Sequence, residues 1–484
     1  MHGVGWLAMT KVANLLTQMG TKLILSWILV PHDFGLIGIA MIVITLVQNL
    51  SETGFSVALV QKNENITRPY FDAAWTIQLV RGVGIFVIIY FFAPLLVSFF
   101  ETAESSNSNI VTVIRVLAFA SCVESFSNVG IIQYNRDINF RKLTVYELSA
   151  TMINAIVSIT LVLIVRNVWA LVFGILSGSF TRVIVSYLIH SHRPKISFNI
   201  KHIRELFNYG KWVFIYTLID FLGIKVSDIF VAKMLGITSL GFYQMAFFIA
   251  MLPRNQLAEI VTMITFPLFS RLQNNEARLK KTFLISLELI LATFMPVGIG
   301  LTLVGDLVVK ICFAEKWYPI IGTLQILAFA GVIQSIIRNV EQLFKAINRP
   351  DVMLYQGLLA AMLTFVFLFP FTRMFGMEGV AMTIVCVAVF HLLLVFMFAK
   401  KMLQISLTDL LGAAIFSLTA CAGMVIAILL LRVSVSVADS LSLVLNIIVG
   451  SFVYVGVLAL FWKIGKVGAI HQLLAIKSVY NSGR

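Results

Sequence analysis

Fourteen mostly apolar stretches follow one another along this chain and leave little sequence between them. They fall at about 4–30, 35–62, 73–100, 108–134, 142–165, 168–190, 207–235, 240–270, 279–304, 319–347, 351–372, 376–400, 410–432 and 439–464. A helix needs about 20 residues to cross ~30 Å of hydrocarbon. Lipid offers no partner to a backbone N–H or C=O, so runs of this length must satisfy their own hydrogen bonds as helices. The expected fold is therefore all-α and integral to the membrane, with about fourteen transmembrane helices. Charged residues make up only 12% of the 484, against roughly 25% in soluble domains. The first stretch is too long for a signal-peptide core and is followed by no small-residue cleavage site. The segment 305–317 is short and mixed, and reads as interfacial.

Lysine and arginine give the orientation. With a cytoplasmic N-terminus, the loops on the opposite side hold only Arg166, Lys310, Lys316, Arg373 and Arg432 of the 36 basic residues. Most of the others lie in the inside loops and the C-terminal tail, so both termini are expected in the cytoplasm. The formal net charge of +14 then reflects loops retained on one side of a membrane, and no nucleic-acid partner is expected. The most basic inside loop, "HSHRPKISFNIKHIRELFNYGK" (190–211), reads as a solvated topological determinant near anionic lipid. Cys122, Cys312, Cys386 and Cys421 lie in or beside apolar stretches without a CxxC pair. They read as packing residues, and neither a metal nor a disulfide is inferred.

The basic loop also divides an internal repeat. A shift of 206 residues aligns Trp6 with Trp212, Leu29 with Leu235, Gly35 with Gly241, Ala40 with Ala246, Leu46 with Leu252 and Asn49 with Asn255 without a gap. Each copy holds six spans, an even number, so the copies share one orientation. They are expected as two six-helix bundles related by a pseudo-two-fold axis along the membrane normal. The domain reading is 1–190 for the first bundle, 191–206 for a basic cytoplasmic linker, 207–400 for the second bundle, and 401–484 for two additional helices and the tail.

Polar residues inside the spans point to a cavity. Lys11, Asn14, Gln18 and Lys22 are spaced by three, four and four, which places them on one face of the first helix. The repeat sets Asn14 on Asp220, Lys22 on Asp228, Gln48 on Arg254 and Asn49 on Asn255. A charge at the centre of a lipid-exposed helix costs at least ~2.5–3.5 kcal/mol. The intramembrane charges all fall in the first ten spans, so those spans are expected to enclose a wet or ion-paired interior. Snorkelling accounts for Arg81, Arg115, Glu147, Arg182 and Lys233, which lie near span ends. Lys225 and Asp228, three apart, suit a helical ion pair, as do Arg338 and Glu341. Arg254, Asp220, Glu124 and Glu288 are deepest and harder to dismiss, although pairing between helices would also satisfy them. No HExxH, P-loop or GxSxG motif occurs. No enzyme activity and no cofactor is inferred.

Several stretches resemble, in order, the bacterial oligosaccharide flippases of the polysaccharide transporter family. They are "PHDFGLIGIA" (31–40), "GFSVALVQK" (54–62), "QYNRDINFRKL" (133–143), "LGITSLGFYQMA" (235–246), "FPLFSRL" (266–272), "FAEKWYPIIGTLQIL" (313–327), "KAINRPD" (345–351) and "GMEGVAM" (376–382). The nearest group is the Wzx-type, colanic-acid-exporter-like flippases of the multidrug/oligosaccharidyl-lipid/polysaccharide superfamily. The resemblance implies movement of undecaprenyl-pyrophosphate-linked repeat units across the bacterial inner membrane, for O-antigen or exopolysaccharide assembly. It also implies a monomer in contact with membrane lipid, and allows association with polymerase and export proteins. On that reading Lys11, Asn14, Gln18, Lys22, Gln48, Asn49, Arg254 and Asn255 bind substrate, and Asp220 and Asp228 are ion-coupling candidates. A multidrug exporter of the same superfamily is the alternative, disfavoured by two lysines in the polar stripe. An integral-membrane glycan polymerase or ligase is the alternative from another class, disfavoured by the short outer loops.

Overall fold

A computed structural model describes residues 2–51, 68–100, 108–136, 140–197, 223, 225–252, 254, 258–434 and 438–463. Every element among them is helical. They are α1 (His2–Ile28), α2 (Pro31–Leu50), α3 (Arg68–Phe100), α4 (Ser108–Glu124), α5 (Ile131–Arg136), α6 (Phe140–Val165), α7 (Trp169–Ile189), α8 (225–235), α9 (Ile237–Leu252), α10 (Ala258–Leu272), α11 (Glu276–Cys312), α12 (Ile321–Ala346), α13 (Pro350–Leu403), α14 (Leu407–Ser434) and α15 (Asp439–Lys463), with a 3₁₀ turn at Glu315–Ile320. Among the described residues, nine helices are long and apolar enough to cross a bilayer. The protein is an all-helical, multi-pass membrane protein. Its residues form two compact units, Met1–Gln244 and Met245–Arg484.

In the first unit α6 packs against α7 and α1, α3 against α4, and α4 against α2 and α7. Lipid tails are as apolar as leucine, so helices in a membrane gain from close approach more than from hiding apolar area. The "GILSG" run of α7 shows this. A Cβ on Gly174 would overlap Ser158 Oγ of α6, and one on Gly178 would stand 3.3 Å from the Ala150 carbonyl oxygen. Pro31 opens α2 at its first turn, where its missing N–H costs nothing. The residue before it, Val30, is extended at φ −91°, ψ 157°, as a following proline demands. The repeat-equivalent position is Gly236, which turns into α9 at φ +86°. The two copies thus make the same turn by different backbone routes.

In the second unit α12 is the central helix, packed on α10, α11 and α13. Phe269, Phe283, Phe294, Val340, Leu343, Phe344 and Val395 fill its core. The helix α13 holds 54 residues, about 80 Å at 1.5 Å each, too long for one crossing. Gly376 interrupts it at φ 59°, ψ −132°, between the two predicted spans. The helices α14 and α15 pack on α11. Lys280 Nζ reaches Asp409 Oδ2 at 2.7 Å near the starts of α11 and α14, and Arg432 Nη2 reaches Asp306 Oδ1 at 2.9 Å near their ends. These two helices therefore run parallel, tied at both ends. Tyr454 of α15 donates to the Ala292 carbonyl at 2.8 Å.

Two expectations are corrected. The stretch 108–134 is not one helix: α4 ends at Glu124 and α5 starts at Ile131. Gln78 and Tyr187 satisfy carbonyls freed there, at 2.9 Å on Ser125 and 3.0 Å on Phe126. Within the stretch 240–270, α9 runs to Leu252 and α10 from Ala258, and residues 253 and 255–257 lie outside the described residues. Residues 305–312 of the segment 305–317 continue α11 to Cys312. Residues 190–197 of the basic loop are held against the protein by hydrogen bonds rather than solvated along their length.

Candidate functional site

The polar face of α1 forms within one unbroken helix. Lys11, Asn14 and Lys22 are half-buried along it and Gln18 is exposed. No hydrogen-bond partner for Asn14 Oδ1 stands among the described residues. Lys22 lies within electrostatic reach of Lys225 on α8. Lys225 Nζ is 2.7 Å from Asp228 Oδ2, the helical pair that the three-residue spacing predicts, and Gln244 Nε2 of α9 stands 3.4 Å from the same oxygen. Asp228 is buried. One lysine and one amide thus hold the Asp228 carboxylate, with Lys22 near the lysine.

Next to Gln244 of this cluster α2 and α9 cross, and they do so through repeat-equivalent residues. A Cβ on Gly35 would overlap the Ile237 carbonyl oxygen, and a Cβ on Gly241 would overlap the Pro31 carbonyl oxygen. Pro31 and Ile237 are themselves separated by the repeat shift of 206, as are Gly35 and Gly241. A third equivalent pair meets as well: a Cβ on Gly38 would stand 2.6 Å from Oε1 of Gln244. Backbone meets backbone here because neither glycine carries a side chain to separate them. Residues that the shift of 206 pairs thus contact one another reciprocally here.

At the other end of α2, Gln48 Nε2 donates to Ser121 Oγ of α4 at 2.7 Å. Asn49 is half-buried beside it. Arg81 of α3 donates to the Gln48 carbonyl and to Ser51 Oγ, both at 3.1 Å. Its charge faces the negative end of α2. Sequence reasoning had left Arg81 to snorkelling and did not find Ser121. Arg254 belongs to the second unit and is half-buried in helical backbone between α9 and α10, with residues 253 and 255–257 outside the described residues. Asp220 and Asn255 lie outside the described residues.

A further charged group also escaped the sequence reading. Arg182 of α7 is paired at 2.6 Å with Glu124, the last residue of α4, and stands 3.8 Å from Glu147 of α6. Arg182 and Glu147 are not snorkelling separately; they join Glu124 in one group across three helices. Their similar depth from the same ends of neighbouring spans was the available signal. Arg115 stacks over the Tyr90 ring at 4.5 Å, and Lys233 donates to the Phe99 carbonyl at 2.6 Å.

Comparison with known proteins agrees with this architecture. The family model described as "Polysaccharide biosynthesis protein" matches residues 24–322. The chain is 25% identical over 356 residues to the lipopolysaccharide biosynthesis protein WzxC of Escherichia coli (strain K12), covering 72% of this chain and 70% of that one. It is 22% identical over 329 residues to the succinoglycan biosynthesis transport protein ExoT of Rhizobium meliloti (strain 1021), covering 67% and 65%. Its fold is similar to that of the lipid II flippase MurJ in an inward closed conformation, with a TM-score of 0.77, 16% identity and coverage of 94% of this chain and 97% of that one. The chain belongs to the family of polysaccharide biosynthesis proteins.

Proposed function

We propose that this protein flips undecaprenyl-pyrophosphate-linked oligosaccharide repeat units from the inner to the outer leaflet of the bacterial cytoplasmic membrane. The observation that carries the reading is the polar, lysine-bearing face of α1 within a member of this family. A pyrophosphate is an anion and needs cations once it leaves water. Sugars need amides and carboxylates, and the prenyl tail can stay in lipid. Lys11, Lys22 and Arg254 supply the charge. Asn14, Gln18, Gln48, Asn49 and Asn255 supply the hydrogen bonds.

In this reading residues 1–190 and 207–400 are the two bundles of an alternating-access transporter, joined by a cytoplasmic linker at 191–206. Residues 401–484 carry the two additional helices and the tail. Both termini face the cytoplasm, because the basic loops do. The protein acts as a monomer, without a cofactor and without covalent chemistry. The names of its relatives support the substrate class: WzxC is named for lipopolysaccharide biosynthesis, ExoT for succinoglycan biosynthesis transport, and MurJ is named a lipid II flippase. Coupling through Asp228 is the weaker part of the reading, since Lys225 already holds that carboxylate.

The test is complementation of surface polysaccharide in a flippase deletion strain, with membrane levels measured in parallel. Arg254→Ala is expected to insert normally and fail to complement. Arg254→Lys is expected to rescue poorly, because an ammonium cannot reproduce a bidentate guanidinium contact. Full activity of well-expressed Arg254→Ala would refute the substrate role of this residue.

A further inference from the structure

The eight residues that follow α7 are fastened to the protein by more contacts than a topological signal requires. His192 Nε2 lies 3.1 Å from Asp72 Oδ1 near the start of α3, and the Lys195 N–H donates to the same oxygen at 3.0 Å. The Ser197 N–H donates to Thr76 Oγ1 at 2.8 Å, one turn along α3. From the other side Asn128 Nδ2 donates to the His192 carbonyl at 2.7 Å, and Tyr134 donates to the Ile189 carbonyl at 2.9 Å. Gly130 makes room for the His190 ring, which a Cβ there would overlap. A positive loop needs only its charge to stay on one side of the membrane. Nothing in that role calls for a side-chain or ring partner on the N–H groups of residues 192, 195 and 197.

One of these bonds depends on a titratable acceptor. The His192 N–H donates to His190 Nδ1 at 3.1 Å, and Nδ1 can accept only while it carries no proton. The groups facing His190 are His192, Lys142 of α6, Arg193 and the Tyr134 ring of α5. Those facing His192 are Asp72, the Phe71 ring and His190. The two rings therefore answer a proton in opposite senses. A proton on His192 adds charge opposite Asp72. A proton on His190 removes the acceptor and sets a cation among His192, Lys142 and Arg193.

We propose that residues 190–197 are a proton-released strap, fastened to α3 through Asp72 and Thr76 while His190 is neutral and freed when His190 is protonated. Burial, then the three basic neighbours, hold His190 below its ordinary value of 6.5. The sign follows: the fastened strap keeps its full advantage above pH 6.5 and loses it as pH falls below that value. Eight released residues add up to about 26–29 Å of reach to the connection between the two repeats, at ~3.3–3.6 Å each. The orientation proposed above puts this strap on the cytoplasmic side, so the signal it reads is cytoplasmic acidification.

Hydrogen exchange on the full chain in lipid nanodiscs tests this, with each rate divided by the intrinsic rate at that pH. The amides of residues 192, 195 and 197 are expected to exchange at least tenfold slower than unprotected amides at pH 7.5. That protection is expected to fall by pH 5.5, by at most about tenfold, while the middle of α7 does not change. His190→Gln keeps a side-chain acceptor that does not titrate, and is expected to hold the protection at both pH values. Asp72→Ala is expected to free the strap at both. Equal wild-type protection at pH 7.5 and 5.5, or parallel loss in His190→Gln, would overturn the proposal. The comparison of wild type with His190→Gln stands even where Asp72→Ala does not fold, and it requires no transport.

Discussion

Alanine at Gly35 or Gly241 is the sharpest perturbation that the α2–α9 crossing offers. Each new methyl group would occupy space held by a backbone carbonyl oxygen, on Ile237 or Pro31. A carbonyl in a helix cannot swing aside as a side-chain tip can, so the helices must separate. Overpacking of this kind costs about 1–3 kcal/mol, which at ~1.4 kcal/mol per tenfold shifts the crossing toward separation by about 5- to 150-fold. Both glycines hold the same two helices together. Once one methyl group has separated them, the second has less to disrupt. The double variant is therefore expected to fall short of the sum of the singles by more than ~0.5 kcal/mol, as contacting sites do. Thermal unfolding in nanodiscs measures all four members of the cycle. Gly20 of α1 is the control, because a Cβ there meets nothing within 4 Å. Gly20→Ala is expected to be neutral or to stabilise by up to ~1 kcal/mol, from helix propensity alone. Additive effects at Gly35 and Gly241, or single variants as stable as Gly20→Ala, would refute the reasoning.

Two other perturbations follow from charge. Arg182→Met leaves Glu124 and Glu147 without their common cation. Because the group is about a third exposed or more, the expected loss is about 1–2 kcal/mol, below the 3–5 of a fully buried pair. Adding Glu124→Gln is expected to recover part of it, read as the midpoint of thermal unfolding. At the α11–α14 tie, the hydrogen bond from Lys280 and those from Ser406 hold the Asp409 carboxyl down to about 2. The stabilisation is present above the usual value of 3.8 and lost as pH falls through about 2. The stability difference between wild type and Asp409→Asn is therefore expected to stay flat from pH 5 to 8 and to shrink only below pH 4.

Apolar length made the helical membrane architecture legible in the sequence, because lipid allows a long apolar run few other conformations. Gly35 and Gly241 stood out in the sequence as a pair under the shift of 206, and both sit in one crossing where only glycine permits two backbones to meet. The Lys225–Asp228 pair followed from helical spacing alone. What stayed hidden was relational. Nothing local to Arg182, Glu124 or Glu147 says that three helices bring them together. The division of 108–134 was hidden because apolar composition continues through Phe126 and Val129, while side chains from α3 and α7 take up the freed carbonyls. Arg81 looked like a residue reaching for water, yet its guanidinium faces the end of α2. The strap at 190–197 was hidden because its charge already explained it, and the carboxylate that fastens it lies more than a hundred residues earlier.

The central claim is that a lipid-linked oligosaccharide crosses the membrane through this protein. Reconstitution into liposomes bearing undecaprenyl-pyrophosphate-linked oligosaccharide tests it most directly, with the fraction of head groups reachable by a membrane-impermeant glycosidase followed over time. The account predicts translocation well above protein-free liposomes, lost in Arg254→Ala and in Lys11→Ala/Lys22→Ala. Translocation no faster than in protein-free liposomes, with export of a cationic dye by the same preparation, would contradict it and favour a drug exporter.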